Sequence, residues 1–231
     1  TAECVKHAIG LGYRLVDAAQ GYDNEAEVWY GIKESGIGRS EVFIISKVSP
    51  DAVRSGKVRE SLDRTIEAFG GTYVDLMLIH WPDVNTDFAE TADALNALKK
   101  SGKVLHIGVS NFTREQMEEI GQYCTLEAYQ PQYSMVVRTN EEQMKWAAEQ
   151  GMGVMTYGSL GGGILTVAFR KLTTFEATYS RKRFYKHFQE PMFSKVMKVL
   201  EVMDRISADR DNVPLSQIAL NSVSYTHLTL P

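Results

Sequence analysis

Six short apolar runs, beginning near residues 15, 43, 75, 104, 127 and 153, recur along this chain of 231 residues, each followed by a stretch of helical periodicity. A strand buried on both faces reads as a continuous apolar run rather than an alternating one, and VFIISKV at 42–48 is of that kind. Strands alternating with helices in this rhythm predict right-handed βα units around a parallel sheet. An open dinucleotide-binding sheet would carry GxGxxG after a strand, and no such pattern is present. The architecture left is an α/β fold of the (β/α)8 TIM-barrel type. Closure needs eight strands, so the barrel is expected to be incomplete here, with its first and eighth strands missing.

The helices announce themselves at their ends. Ala2, Val5, Ala8, Ile9 and Leu11 recur at helical spacing before Gly12. Asp23 or Asn24 is placed to cap a helix whose first turn carries Glu25 and Glu27, as the macrodipole prefers. Val58, Leu62, Ile66 and Phe69 mark one face of a helix from about 56 to 68. DFAETADALNALKKSG runs acid-first and lysine-last into Gly102, and Thr113 caps the helix after VLHIGVSNF. Two further helices are predicted at about 193–208 and 214–223. Residues 161–191 show no periodicity and read as a long loop over the barrel mouth.

With 44% hydrophobic residues the chain can bury a substantial core. A formal charge of −4 supplies no basic field for nucleic acid. Cys4 and Cys124 make neither a disulfide framework nor a zinc spacing. No run of eighteen apolar residues and no signal-peptide pattern stands out, so a cytoplasmic, membrane-free protein is expected, with no metal. Nothing in the sequence sets an oligomeric state.

The strand ends carry the chemistry. Taken in order they are Asp17 with Tyr22, Lys47, His80, Ser110 with Asn111, Gln130, and Tyr157. In a parallel βα barrel these carboxyl ends share one mouth. A lysine closing an apolar strand needs a partner, and Asp17 is the candidate. A cation beside Tyr22 would lower the phenol's pKa from about 10 and make it a usable proton donor. A neutral His80 is suited to hold a substrate oxygen. Gly161–Gly163 follow the strand position where such barrels often cradle phosphate. His7 and His106 suggest no partner and are read as structural.

At these residues the chain resembles the aldo-keto reductases, from its start to about Asn221. GYRLVDAAQGYDNEAEV looks like the family's first signature, DLMLIHWP its middle one, GKVLHIGVSNF the next, and TYGSLGGGIL the loop along the cofactor pyrophosphate. The resemblance implies an NAD(P)H-dependent reductase of aldehydes or ketones, with NADPH as cofactor and NADH as the alternative. It assigns Asp17, Tyr22, Lys47 and His80 to catalysis. Ser110, Asn111 and Gln130 would hold the nicotinamide carboxamide, Tyr157 would stack on its ring, and Gly158, Ser159, Leu160 and Gly161 would lie along the pyrophosphate. Trp29 and Tyr30 stand where the family shows a small residue, and Gly158-Ser159 replaces its usual Ser-Pro. The family's first strand, its eighth strand and its adenosine-binding basic segment find no counterpart, so residues 1–221 are expected to be a partial barrel. SYTHLTLP at 224–231 could form a strand by propensity alone, from Tyr225 to Leu230, yet reads as part of a non-native tail over 222–231. Residues 1–231 by themselves are expected to be inactive. The alternatives are a cofactor-binding regulatory or structural member without turnover, or an inactive fragment.

Overall fold

Each predicted apolar run becomes a strand. A computed structural model describes residues 1–54, 56–83, 85–172, 181 and 184–227, the last three as backbone only. The order is α1 (Ala2–Gly10), β1 (Leu15–Asp17), a 3-10 turn (Gln20–Tyr22), α2 (Glu25–Glu34), β2 (Phe43–Val48), α3 (Pro50–Arg54), α4 (Val58–Ala68), β3 (Val74–Ile79), α5 (Phe88–Lys100), β4 (Val104–Ser110), α6 (Arg114–Ile120) and β5 (Ala128–Gln130), then α7 (Glu141–Glu149), β6 (Gly153–Val154), α8 (Met192–Ala208) and α9 (Leu215–His227). The chain divides into two compact units, one of Thr1–Gln130 with Ala147–Gly153, the other of Pro131–Trp146 with Val154–Pro231.

The strands follow one another in sequence order, β1 to β6, in one sheet. Registers such as Asp17 with Ile45, Lys47 with Leu78, Leu78 with Gly108 and Ser110 with Gln130 are parallel. Because side chains alternate along a strand, those registers put Asp17, Lys47, Leu78, Ser110 and Gln130 on one face. Gly108 is required there, since a Cβ would lie 2.4 Å from the Ala128 carbonyl oxygen. The opposite face of β2, with Ile44, Ser46 and Val48 fully buried, packs on α4, in which Leu62 and Thr65 are also fully buried. Burying a Leu- or Ile-sized side chain stabilises by roughly 1.5–3 kcal/mol each, which is why these amphipathic helices form at all.

Capping is mixed. Asp87 accepts the Ala89 amide at 2.8 Å, and Thr113 and Gln116 form a reciprocal capping box. Asn24 occupies the N-cap of α2, but its side chain makes no capping bond. Trp29 fits by lying on Gly70, where an added Cβ would be 2.5 Å from the indole Nε1. The second unit has its own core, in which Ile164, Leu165 and Phe188 join Phe193, Val196, Leu200 and Met203 of α8 and Leu215 and Ala219 of α9. The stretch 161–191 is not wholly irregular, for 3-10 turns occupy Gly161–Gly163 and Lys186–Phe188; residues 173–180, 182 and 183 lie outside the described residues. α9 continues through His227, so no strand starts at Tyr225, and 228–231 also fall outside.

Candidate active site

The Lys47 side chain is nearly inaccessible, 2% exposed, and its ammonium pairs with Asp17 Oδ1. It also donates to the Ala18 carbonyl at 2.9 Å. Burial pushes the Lys47 pKa down, and the Asp17 charge and hydrogen bond oppose that shift. Lys47 Nζ lies 5.0 Å from the centroid of the Tyr22 ring. The short turn Gln20–Tyr22 delivers that ring, which remains half-exposed. Tyr22 meets His80 edge-on, with centroids 5.6 Å apart and planes at 85°. His80 follows β3, its amide donating to Val48 at 3.1 Å. Burial, reinforced by the Lys47 charge and opposed by Asp17, lowers the His80 pKa to about 4. The imidazole is therefore neutral around pH 7 and can both donate and accept.

Ser110, Asn111 and Gln130 adjoin this group. Asn111 takes a left-handed φ of +63° at the end of β4, and its amide nitrogen donates to the His80 carbonyl at 2.9 Å and to Ser110 Oγ at 3.0 Å. Ser110 Oγ donates to the Gln130 carbonyl at 2.7 Å. The Gln130 side-chain nitrogen donates to Asp17 Oδ2 at 2.8 Å. One hydroxyl and two carboxamides can each both donate and accept, the chemistry that another carboxamide would need.

Tyr157, Gly158, Ser159, Leu160 and Gly161 belong to the second unit. Tyr157 pairs with Gln132 in a parallel bridge, donating its amide to Pro131 at 3.0 Å. Gly158, Gly161, Gly162 and Gly163 all have positive φ. Within this turn the amides of Gly161, Gly163, Ile164 and Leu165 already donate to the carbonyls of Gly158, Leu160, Gly161 and Leu160. On the carbonyl side, His187 Nε2 lies 2.8 Å from the Gly161 oxygen and Arg181 Nε donates to Gly162 at 2.7 Å. Sequence reasoning missed both grips.

It also missed a layer behind Tyr22. Gln20 Nε2 donates to the Ser61 carbonyl and to Thr65 Oγ1, each at 3.1 Å, and Gln20 Oε1 accepts the Ser49 amide at 2.9 Å. The Glu25 carboxylate accepts from Ser46 Oγ and, at 3.1 Å, from Thr65 Oγ1. Glu25 is partly buried, so it does more than complement the helix dipole. The available signal was Ser61 and Thr65, two hydroxyls one turn apart beside Leu62 and Ile66 on the buried stripe of α4. His106, for which no partner was expected, has one: its Nδ1 lies 2.8 Å from Glu127, and its ring stacks on Phe43.

The sequence profile of the aldo/keto reductase family matches residues 1–224. The chain is 30% identical over 220 residues to the aldo-keto reductase YhdN of Bacillus subtilis, covering 90% of this chain and 66% of that protein. It is 37% identical over 165 residues to the methylglyoxal reductase DkgB of Escherichia coli O157:H7, covering 69% of this chain and 61% of that one. The glycerol dehydrogenase AKR11B4 of Gluconobacter oxydans superposes with a TM-score of 0.84 at 25% identity, over 96% of this chain and 72% of its own. The chain thus spans about two thirds or less of the length of these two curated relatives.

Proposed function

Because the chain belongs to the aldo/keto reductase family and its six parallel strands are those of the family's (β/α)8 barrel, incomplete here, we propose that it is the larger part of an NADPH-dependent reductase of small aldehydes or ketones. The observation that carries this reading is one cluster: a buried ammonium paired with Asp17, 5.0 Å from the ring centroid of a half-exposed tyrosine that lies edge-on to a neutral imidazole. Ser110, Asn111 and Gln130 would hold the nicotinamide carboxamide. When bound, the reduced nicotinamide supplies the hydride.

The chain's own residues handle the proton. Tyr22 donates from its phenol oxygen to the alkoxide that develops on the substrate. The fixed charge of Lys47 favours the phenolate left behind, and Asp17 keeps that ammonium charged in its dry setting. His80, uncharged, donates a hydrogen bond to the carbonyl oxygen without competing for the proton. Methylglyoxal is the substrate to try first, since the DkgB relative carries that activity in its name.

The test uses the complete polypeptide that contains this chain, with methylglyoxal and loss of NADPH absorbance as readout. Tyr22→Phe should lower turnover by about a hundredfold or more, the scale of a general acid, while NADPH affinity by fluorescence titration is retained. A Phe variant with nearly the parental rate removes Tyr22 from the donor role.

A further inference from the structure

We propose that Gln20, Glu25 and Thr65 form a positioning bridge that holds the Tyr22 phenol against the Lys47 ammonium; this rests on the proton-donor role assigned to Tyr22 above. Gln20 and Glu25 straddle Tyr22 in sequence, and Ser46 and Ser49 straddle Lys47. The structure joins these two brackets. On one side of Tyr22, Gln20 accepts the Ser49 amide; on the other, Glu25 accepts the Ser46 hydroxyl. Both then converge on α4. The Gln20 amide donates to Thr65 Oγ1 at 3.1 Å, and the Thr65 hydroxyl in turn donates to Glu25 at 3.1 Å.

The bond directions are consistent throughout. A hydroxyl gives one proton and accepts others, so Thr65 can accept from Gln20 and donate to Glu25 at once. Thr65 and Ser46 are fully buried, where an unmatched polar group would be costly and a matched network is rigid. Burial raises the Glu25 pKa, while the bonds from Ser46 and Thr65 oppose the shift. Ser46 and Lys47 are successive residues of β2 and therefore point to opposite faces. The bridge thus grips β2 from the helix side while Lys47 projects to the site side. It is a positioning device, acting on the phenol and the ammonium through backbone alone.

The experiment compares Thr65→Val with Thr65→Ser, and Glu25→Ala with Glu25→Gln, in the complete polypeptide with NADPH and methylglyoxal, scoring rate per folded, NADPH-binding chain. Thr65→Val keeps the shape and removes the bridge. It and Glu25→Ala should lower kcat by about ten- to a hundredfold, the scale of a small misplacement in a reacting pair, with KM for the aldehyde changed less than about twofold. The basic limb of the kcat profile should move to higher pH, because the phenol, faced by Lys47 from β2, Asp17 from β1 and His80 after β3, loses its nearest cation. Thr65→Ser and Glu25→Gln, which restore the hydroxyl and an acceptor oxygen, should recover the parental rate and profile. If Thr65→Val folds and keeps parental kcat and pH profile, or if its loss is equal at every pH and Ser does not rescue it, the bridge is only structural. If instead Tyr22→Phe is as fast as the parent, the donor role falls and the bridge with it.

Discussion

Replacing Lys47 with Met removes the charge and keeps most of the side-chain length, and the structure sets the size of the effect. Lys47 Nζ lies 5.0 Å from the Tyr22 ring centroid, and unit charges at about that separation interact by about 3 kcal/mol at an effective dielectric of about 20. Water screens the half-exposed ring and reduces that figure, but the direction stands: without the ammonium the phenol's pKa rises. Asp17 sits on the same ammonium and offsets part of its effect. The basic limb of the kcat/KM profile should therefore move to higher pH, and turnover at neutral pH should fall about ten- to a hundredfold. The fold should persist, because Asp17 is left neither dry nor alone: its side chain is 32% exposed and keeps the Gln130 bond at 2.8 Å. Removing a buried cation whose partner can hydrate is compatible with an unchanged or higher melting temperature. Steady-state kinetics across pH and a thermal melt of the same preparation make the assay. A Met variant with parental turnover and an unmoved basic limb would refute the electrostatic role of Lys47.

Two further outcomes follow from the geometry. His80, held near pKa 4 against an ordinary 6.5, should show no titration of its ring Cε1–H resonance between about pH 5 and 8. The unfolded chain then binds the proton more readily, so His80 withdraws stability as pH falls from 6.5 toward 4 and costs nothing above that window; a ring midpoint above 6 contradicts this. Gly162→Ala would place a Cβ 2.9 Å from the Tyr185 ring at φ +65°, which should destabilise by about 1–3 kcal/mol and weaken NADPH binding in a fluorescence titration. An unshifted melt would show that the turn yields without strain.

Much of the fold was legible because its signals are local. Val58, Leu62, Ile66 and Phe69 are all buried as their spacing predicted, and Lys47 stood out as the one cation in an apolar strand. What escaped depends on pairings across distant elements. The Asp75 carboxylate receives Arg39 at 2.6 Å and the Ile44 amide at 2.7 Å, and both partners lie more than thirty positions away in sequence. Nothing in the segments around Ser46 and Thr65 shows that the Glu25 carboxylate sits between them. Asn24 invited a capping bond by residue type, whereas the α2 N-terminus leaves its side chain out of that role. A strand from Tyr225, open by β propensity alone, does not start there, because the preceding helix runs on through His227.

The bond from Gln130 to Asp17 has a kinetic meaning as well as a geometric one. Asp17 and Lys47 are 30 positions apart, whereas Asp17 and Gln130 are 113 apart. Closing the longer loop costs only about 1 kcal/mol more in chain entropy. The difference lies in order of assembly. The Lys47 contact needs one neighbouring pair of strands, while the Gln130 contact waits until β1 through β5 have all found their places. The ion pair is thus available to an early, locally paired chain, and the amide seals the ring only when the last of these strands arrives.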